Sequence, residues 1–315
     1  MNTEESAHHP NGNYQSWYEL GISLHQARRY REALLALDHA IKIQADNYQI
    51  WNLRANVLKK LERYQGALIA YDHSIKLNSQ IAETWYNRGN LLTKMNNYPA
   101  AVYSFHQALK LNPNLHQAWY NLANIFKKSG RFRYAIASYE KALKLAPNLV
   151  EAWYNRGKSL FELGKYEQAL ASFEYSIKLF PLDYHAWNYR GRTLFYLGQG
   201  EQEIFSYEQA IKIKPDYQEA WHNLGLAKLN RNEYTGAIAC FNKAIAINNK
   251  SALTYYYKSK CYVFLEEINL ALENLEDAIK LDPQLCREKA KVDTDFQVIA
   301  EEPRFHALLD YAFSL

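Results

Sequence analysis

Asparagine returns along this chain on a fixed interval. Asn87, Asn121 and Asn155 stand 34 residues apart, and Asn223 rejoins the series after Tyr189 takes one place. Asn90 and Asn124, three residues after the first two, form a second polar series. A side-chain amide carries donor and acceptor together. That pair matches the N–H and C=O of an extended peptide, whatever its side chains, so a column of amides can grip backbone at regular intervals. Asparagine is a mediocre helix former, so helix propensity does not select it. The competing use of the same amides is local, as hydrogen bonds across neighbouring helices.

The elements that carry these amides follow the same interval. All seven tryptophans, Trp17, Trp51, Trp85, Trp119, Trp153, Trp187 and Trp221, lie on one 34-residue ladder, and Tyr255 takes the next rung. With tryptophan as position 4, position 8 is small (Gly21, Ala55, Gly89, Ala123, Gly157, Gly191, Gly225, Ser259). Position 20 is alanine in seven of eight repeats, position 24 is large and apolar or aromatic, and position 32 is often proline, as at Pro113 and Pro147. Apolar residues at i, i+3 and i+4 in both halves predict two amphipathic helices per repeat. Small residues at 8 and 20 let the two helices approach closely, with aromatic rings filling the space around them. Gly or Asn near position 15 ends the first helix, and the proline ends the second. One helix pair cannot bury both faces, so the pairs must stack.

The totals restrict the function classes. Of 315 residues, 48% are apolar and 22% charged, a folded composition. No apolar run approaches the roughly 20 residues needed to span a bilayer, so direct membrane insertion is not expected. The first residues show neither the basic start nor the apolar stretch of a secretion signal, and a cytoplasmic location is the expectation. Cys240, Cys261 and Cys286 lack metal-site spacing, and neither a metal nor a cofactor is expected. The formal charge is uneven: residues 1–147 hold 18 Lys+Arg against 10 Asp+Glu, and residues 148–315 hold 19 against 23.

The set Trp153, Gly157, Tyr166, Ala169, Phe173 and Pro181, with Ser176 at position 27, resembles the tetratricopeptide repeat (TPR). The wording is similar to that of TPR-only proteins of bacteria, cyanobacteria especially. The resemblance covers residues 14–285 as eight repeats: 14–47, 48–81, 82–115, 116–149, 150–183, 184–217, 218–251 and 252–285. It implies an all-α, right-handed superhelical solenoid of helix-turn-helix repeats, with first helices lining a concave groove. Residues 1–13 are expected to be a disordered tail and 286–315 a C-terminal cap of helices, with Phe296, Ile299, Phe305, Leu308 and Leu309 turned inward. The alternative for that segment is a tail folded into the groove.

In the family, positions 2, 5, 6, 9, 12 and 13 of the first helix face the groove. TPR proteins such as the N-acetylglucosamine transferase of proteins and the peroxisomal import receptor hold peptide backbone with asparagines there. The resemblance therefore implies a peptide-binding groove built from Asn87, Asn90, Asn121, Asn124, Asn155 and Asn223. Tyr86, Tyr120 and Tyr154 flank them, Lys94, Lys127 and Lys128 lie in its basic first half, and Phe161 and Phe195 in its apolar second half. An extended partner segment with acidic and then apolar parts suits that gradient. The carboxylate clamp for chaperone C-termini is not expected: position 5 is Tyr, Asn or His throughout, position 2 is never Lys and position 6 never Arg.

One repeat departs from the rest. Gly200 stands where six of the other seven repeats place an aromatic ring, and Glu203 where all seven place alanine. The vacated space is expected to let Glu203 reach water or a basic partner, Arg190 or Arg192. No phosphate loop or catalytic motif occurs, and His185, His222 and Glu219 are expected to be polar lining. The function expected is a non-catalytic protein–protein adaptor. The alternatives are an assembly factor working through the outer face, and single-stranded nucleic-acid binding by the basic N-terminal half, the less favoured given the small net charge. The oligomeric state has no signature in the sequence.

Overall fold

The computed structural model describes residues 12–310. Most of the expected N-terminal tail, residues 1–11, and residues 311–315 of the C-terminal segment lie outside the described residues. All the regular elements among the described residues are helices. The chain divides at Ala152/Trp153 into two compact units. The first holds α1 (Tyr14–Gln26), α2 (Tyr30–Ile43), α3 (Tyr48–Lys60), α4 (Tyr64–Leu77), α5 (Ala82–Lys94), α6 (Tyr98–Leu111), α7 (His116–Lys128) and α8 (Phe132–Leu145). The division falls inside α9 (Val150–Glu162). The second unit continues with α10 (Tyr166–Leu179), α11 (Tyr184–Tyr196), α12 (Gly200–Ile213), α13 (Gln218–Leu229), α14 (Tyr234–Ile247), α15 (Ala252–Phe264) and α16 (Ile268–Leu281). It ends with α17 (Pro283–Val292), a 3-10 helix (Thr294–Ile299) and α18 (Pro303–Asp310).

Within each unit the helices pair as first and second members of a repeat, and each pair stacks on the next. The pairing rests on a ring set against a small residue. A methyl group added at Gly89 would lie 2.7 Å from the Phe105 ring, and one at Gly225 would lie 2.5 Å from Phe241. Phe105, Phe173 and Phe241 are fully buried, each burial stabilising by about 2–3 kcal/mol. Where position 8 is alanine, position 24 is tyrosine, and its hydroxyl donates to the asparagine at position 9: Tyr71 to Asn56 at 2.6 Å, Tyr139 to Asn124 at 2.5 Å.

Stacking of one repeat on the next has its own devices. The indole N–H of Trp51, Trp85, Trp119, Trp187 and Trp221 donates to the carbonyl six residues upstream, in the turn that ends the preceding repeat, at 2.7–2.9 Å. Arginine three residues after the tryptophan lies over the indole, as Arg54 over Trp51 and Arg190 over Trp187. It also pairs with an acid on the preceding second helix: Arg54 with Asp38, Arg88 with Asp72, Arg190 with Glu174.

The turn inside each repeat is tighter than its residues advertise. Position 15 has positive φ in all eight repeats, in Gly130, Gly164 and Gly198, in Asn96 and Asn232, and also in Arg28, Glu62 and Glu266. A left-handed residue with a Cβ costs about 1–2 kcal/mol, so three turns carry strain that glycine would relieve.

The C-terminal segment packs on the last repeat. Phe296, Ile299 and Phe305 are buried in one cluster with Tyr256, Leu272, Leu275 and Ile279, and Leu308 and Leu309 pack on it half-buried. No helix among the described residues is long and apolar enough to cross a membrane.

The left-handed turns yield a test. Glu62→Gly and Glu266→Gly remove the Cβ clash, while glycine's extra chain entropy returns about 0.5–1 kcal/mol of that gain. Each substitution is expected to stabilise by about 0.5–1 kcal/mol, read as a higher urea midpoint at unchanged slope. A lower midpoint would show that the side chains there contribute more than their backbone costs; the exposed Glu62–Lys94 pair at 3.9 Å is worth little.

Candidate functional site

The first-helix face of each repeat carries the residues singled out in the sequence. In the first unit, Asn121 donates from Nδ2 to Asn90 Oδ1 at 2.7 Å, joining α7 to α5. Asn124 accepts from the Tyr139 hydroxyl. Asn87 is half-buried at the equivalent place on α5. Tyr86 and Tyr120 are half-buried too, each tilted against the ring beneath it, Phe105 and Tyr139, at 6.0 Å. The amides thus tie neighbouring first helices together. An amide has two N–H donors and a carbonyl, and the cross-helix bond of Asn121 uses one N–H.

The lysines here lie beside rings. Lys94 sits over Tyr64 at 4.8 Å and Lys128 over Tyr98 at 4.9 Å, both exposed. Burial, then the neighbouring Lys60, lowers the pKa of Lys59. Lys127 is half-exposed on α7.

In the second unit, Asn155 is half-buried on α9, and Asn223 repeats the cross-helix bond, donating to Asn188 Oδ1 at 2.9 Å. Asn188 is itself buried and donates to the Tyr217 hydroxyl at 3.4 Å. That hydroxyl donates to Glu219 at 2.6 Å and meets His185 Nδ1 at 3.3 Å. His222 bonds instead to Thr254, and burial pushes its pKa down to about 4. The three residues do not converge on one point. No group of three or more His, Cys, Asp or Glu side chains among the described residues could hold a metal.

The aromatic anchors differ from one another. Phe161 is only 8% exposed, packed among Tyr166, Tyr189 and Tyr196, while Phe195 is 47% exposed. Tyr154 meets Tyr189 edge to face at 5.8 Å. Two cations at position 9, outside the amide series, lie on these rings. Lys158 is 4.9 Å from Tyr189, and Arg192 is 4.8 Å from Tyr189 and 4.9 Å from Phe161. Their 34-residue spacing, resumed at Lys260 after Leu226 interrupts it, was the signal available.

The irregular repeat corrects one expectation. Glu203 is only 6% exposed and hydrogen-bonded to the Tyr207 hydroxyl, and its nearby cation is Arg231, not Arg190. Arg190 is engaged by Glu174 and Ser206. Burial pushes the Glu203 carboxyl up to about 7, with the Tyr207 bond and Arg231 pulling it back. A carboxyl raised on folding favours the folded state while protonated, so its contribution is lost as pH rises from about 4.5 through 7. Glu203→Gln is therefore expected to gain thermal stability relative to the parent between pH 5 and 8; a constant difference across that range would refute the buried-acid assignment. Comparing the two proteins cancels the opposite trend from His222.

Tetratricopeptide-repeat profiles match residues 18–80, 82–115, 116–149, 154–216, 218–251 and 252–285. The TPR repeat-containing protein MJ1428 of Methanocaldococcus jannaschii is 32% identical over 85 residues, 27% of this chain and 15% of that protein. The chain thus spans under a fifth of the length of the curated relatives it matches. Among solved structures, the C-terminal part of a TPR repeat-containing protein from Cytophaga hutchinsonii aligns with a TM-score of 0.65 at 18% identity, covering 74% of this chain and 95% of its own. YrrB, a TPR protein with an unusual peptide-binding site, aligns with a TM-score of 0.51 at 23% identity, over 60% of this chain and 98% of its own. The profiles run through most of a chain whose helices pair and stack on the same 34-residue interval, and the chain belongs to the tetratricopeptide repeat family.

Proposed function

We propose that this chain is a non-catalytic adaptor that holds an extended segment of a partner protein along its first-helix face, the segment combining acidic with aromatic or apolar side chains. The chain's own C-terminal segment carries the reading. Asp293 accepts from the Tyr256 hydroxyl at 2.8 Å and from Lys260 at 2.9 Å. Asp295 also pairs with Lys260, and the Phe296 ring lies 5.5 Å from Tyr256. Tyr256 and Lys260 occupy positions 5 and 9 of α15. The other repeats present Tyr86, Tyr120 and Tyr154 at position 5, and Asn90, Asn124, Lys158 and Arg192 at position 9. The face of the last repeat thus accommodates an acidic stretch followed by an aromatic ring. YrrB's peptide-binding site, in a protein of like fold, lends further support.

A second reading, assembly through the outer face, has one observation behind it. Leu35, Ile69 and Tyr103 recur at one position of α2, α4 and α6 and are 63%, 57% and 56% exposed.

Selection from a random peptide library on the full chain separates the two. Peptides enriched in Asp or Glu beside Phe or Tyr are expected. Their affinity should fall by about tenfold or more in Asn87/Asn121/Asn155→Ala, with helical circular dichroism retained. Undiminished binding by that variant would overturn the groove reading, and loss in Leu35/Ile69/Tyr103→Ser would move the binding face outward.

A further inference from the structure

The second unit repeats one aromatic contact and omits it once. The ring at position 17 of a repeat stacks on the residue at position 13 of the next: Tyr166 on Tyr196, centroids 4.5 Å apart and 4° from parallel, and Tyr234 on Phe264, 4.9 Å and 13°. Between these two pairs the positions read Gly200 and Asn230, and no ring is supplied.

A cavity of about 280 Å³ opens beside the omission, bounded by Phe195, Tyr196, Leu226, Asn230 and Tyr257, with Glu203 and Tyr207 in its wall. Asn230 is the residue on which the missing ring would have stacked, and Glu203 lies one turn along α12 from Gly200. A Cβ at Gly200 would meet only the Arg231 guanidinium, at 3.6 Å. The volume exceeds the roughly 150 Å³ of an apolar cavity able to bind benzene. Phe195 and Tyr196 at its edge are 47% and 54% exposed, so a side chain can enter from solvent.

The wall chemistry selects the occupant. Arg192 lines the cavity, and Arg231 lies near Glu203, so a cationic side chain meets two positive charges and one buried carboxyl. An anionic side chain is drawn by the two guanidiniums but sets a second carboxylate beside Glu203, in a wall otherwise made largely of Phe195, Tyr196, Tyr207, Leu226 and Tyr257. A neutral ring bearing a hydroxyl meets neither obstacle, because a phenol can donate to a carboxylate or accept from a carboxylic acid. It is also the group that five other repeats place at this position: Tyr30, Tyr64, Tyr98, Tyr166 and Tyr234.

We propose that this cavity is the anchor site for a tyrosine side chain of the bound partner segment, its ring replacing the one that Gly200 omits and its hydroxyl meeting Glu203. The site rests on the peptide-binding reading for its biological occupant, but its chemistry is testable without any peptide.

The probe is p-cresol, the tyrosine side chain itself, titrated into the full chain by ligand-observed NMR, with toluene and n-butylammonium in parallel. Saturable p-cresol binding, tighter than that of either comparison probe, is expected. Gly200→Tyr restores a residue type that the fold uses at this place elsewhere, and should weaken p-cresol binding by about tenfold or more. Glu203→Ala should remove the preference for p-cresol over toluene. Binding of p-cresol that does not saturate, that survives Gly200→Tyr unchanged, or that is no tighter than n-butylammonium would overturn the assignment. Asn87/Asn121/Asn155→Ala leaves p-cresol binding intact if the cavity is the site, so failure of the amide column and failure of the anchor are read separately.

Discussion

A bulky ring seated on a residue with no side chain, or almost none, is the constraint on which the rest depends. Because Gly89, Gly157, Gly191 and Gly225 leave no room for a methyl group against the ring opposite, first and second helices stand close enough for one ring to fill their whole interface. The ring then needs no polar partner where it is phenylalanine; where it is tyrosine it finds one, at position 9 for Tyr71 and Tyr139 and in Glu203 for Tyr207. That choice reaches the outer surface. An asparagine at position 9 satisfies a buried hydroxyl, while a lysine or arginine there is left to lie on the rings of the first-helix face.

Under the proposed groove binding, the amide column would let scaffold and binding chemistry share residues. Asn121 and Asn223 reach back to the preceding first helix, one to Asn90 and the other to Asn188. The bond fixes the orientation of the amide, which a flexible surface asparagine would lack. A binding group held in one orientation loses less entropy when a ligand arrives. If the groove binds as proposed, structural use and recognition reinforce each other at these positions.

The fold was legible because its determinants are local and repeated. Trp17 to Trp221, the small residues at position 8 and the alanines at position 20 name both helices and their contact without a single long-range fact. What escaped was non-periodic or masked by chemistry of another kind. Glu62 and Glu266 adopt left-handed turns that their side chains disfavour, because the closure of two packed helices overrides local preference. The fate of Glu203 depended on Arg231 and Tyr207, whose approach is set by packing and not by spacing. Phe161 and Phe195 look alike in sequence, yet only the first is covered by the rings of its neighbours.

The tryptophan clasp has a consequence for how such a chain can change. Its acceptor is a main-chain carbonyl, belonging to Ala45, Ser79, Pro113, Pro181 or Pro215. Side-chain identity at that place is therefore immaterial to the bond, while the count of six residues between donor and acceptor is not. The indole acts as a gauge of contour length at each of these five junctions. Substitution drifts freely past it; a single inserted or deleted residue does not. Within this chain the surface positions vary from repeat to repeat while the period stays at 34 from Trp17 to Trp221.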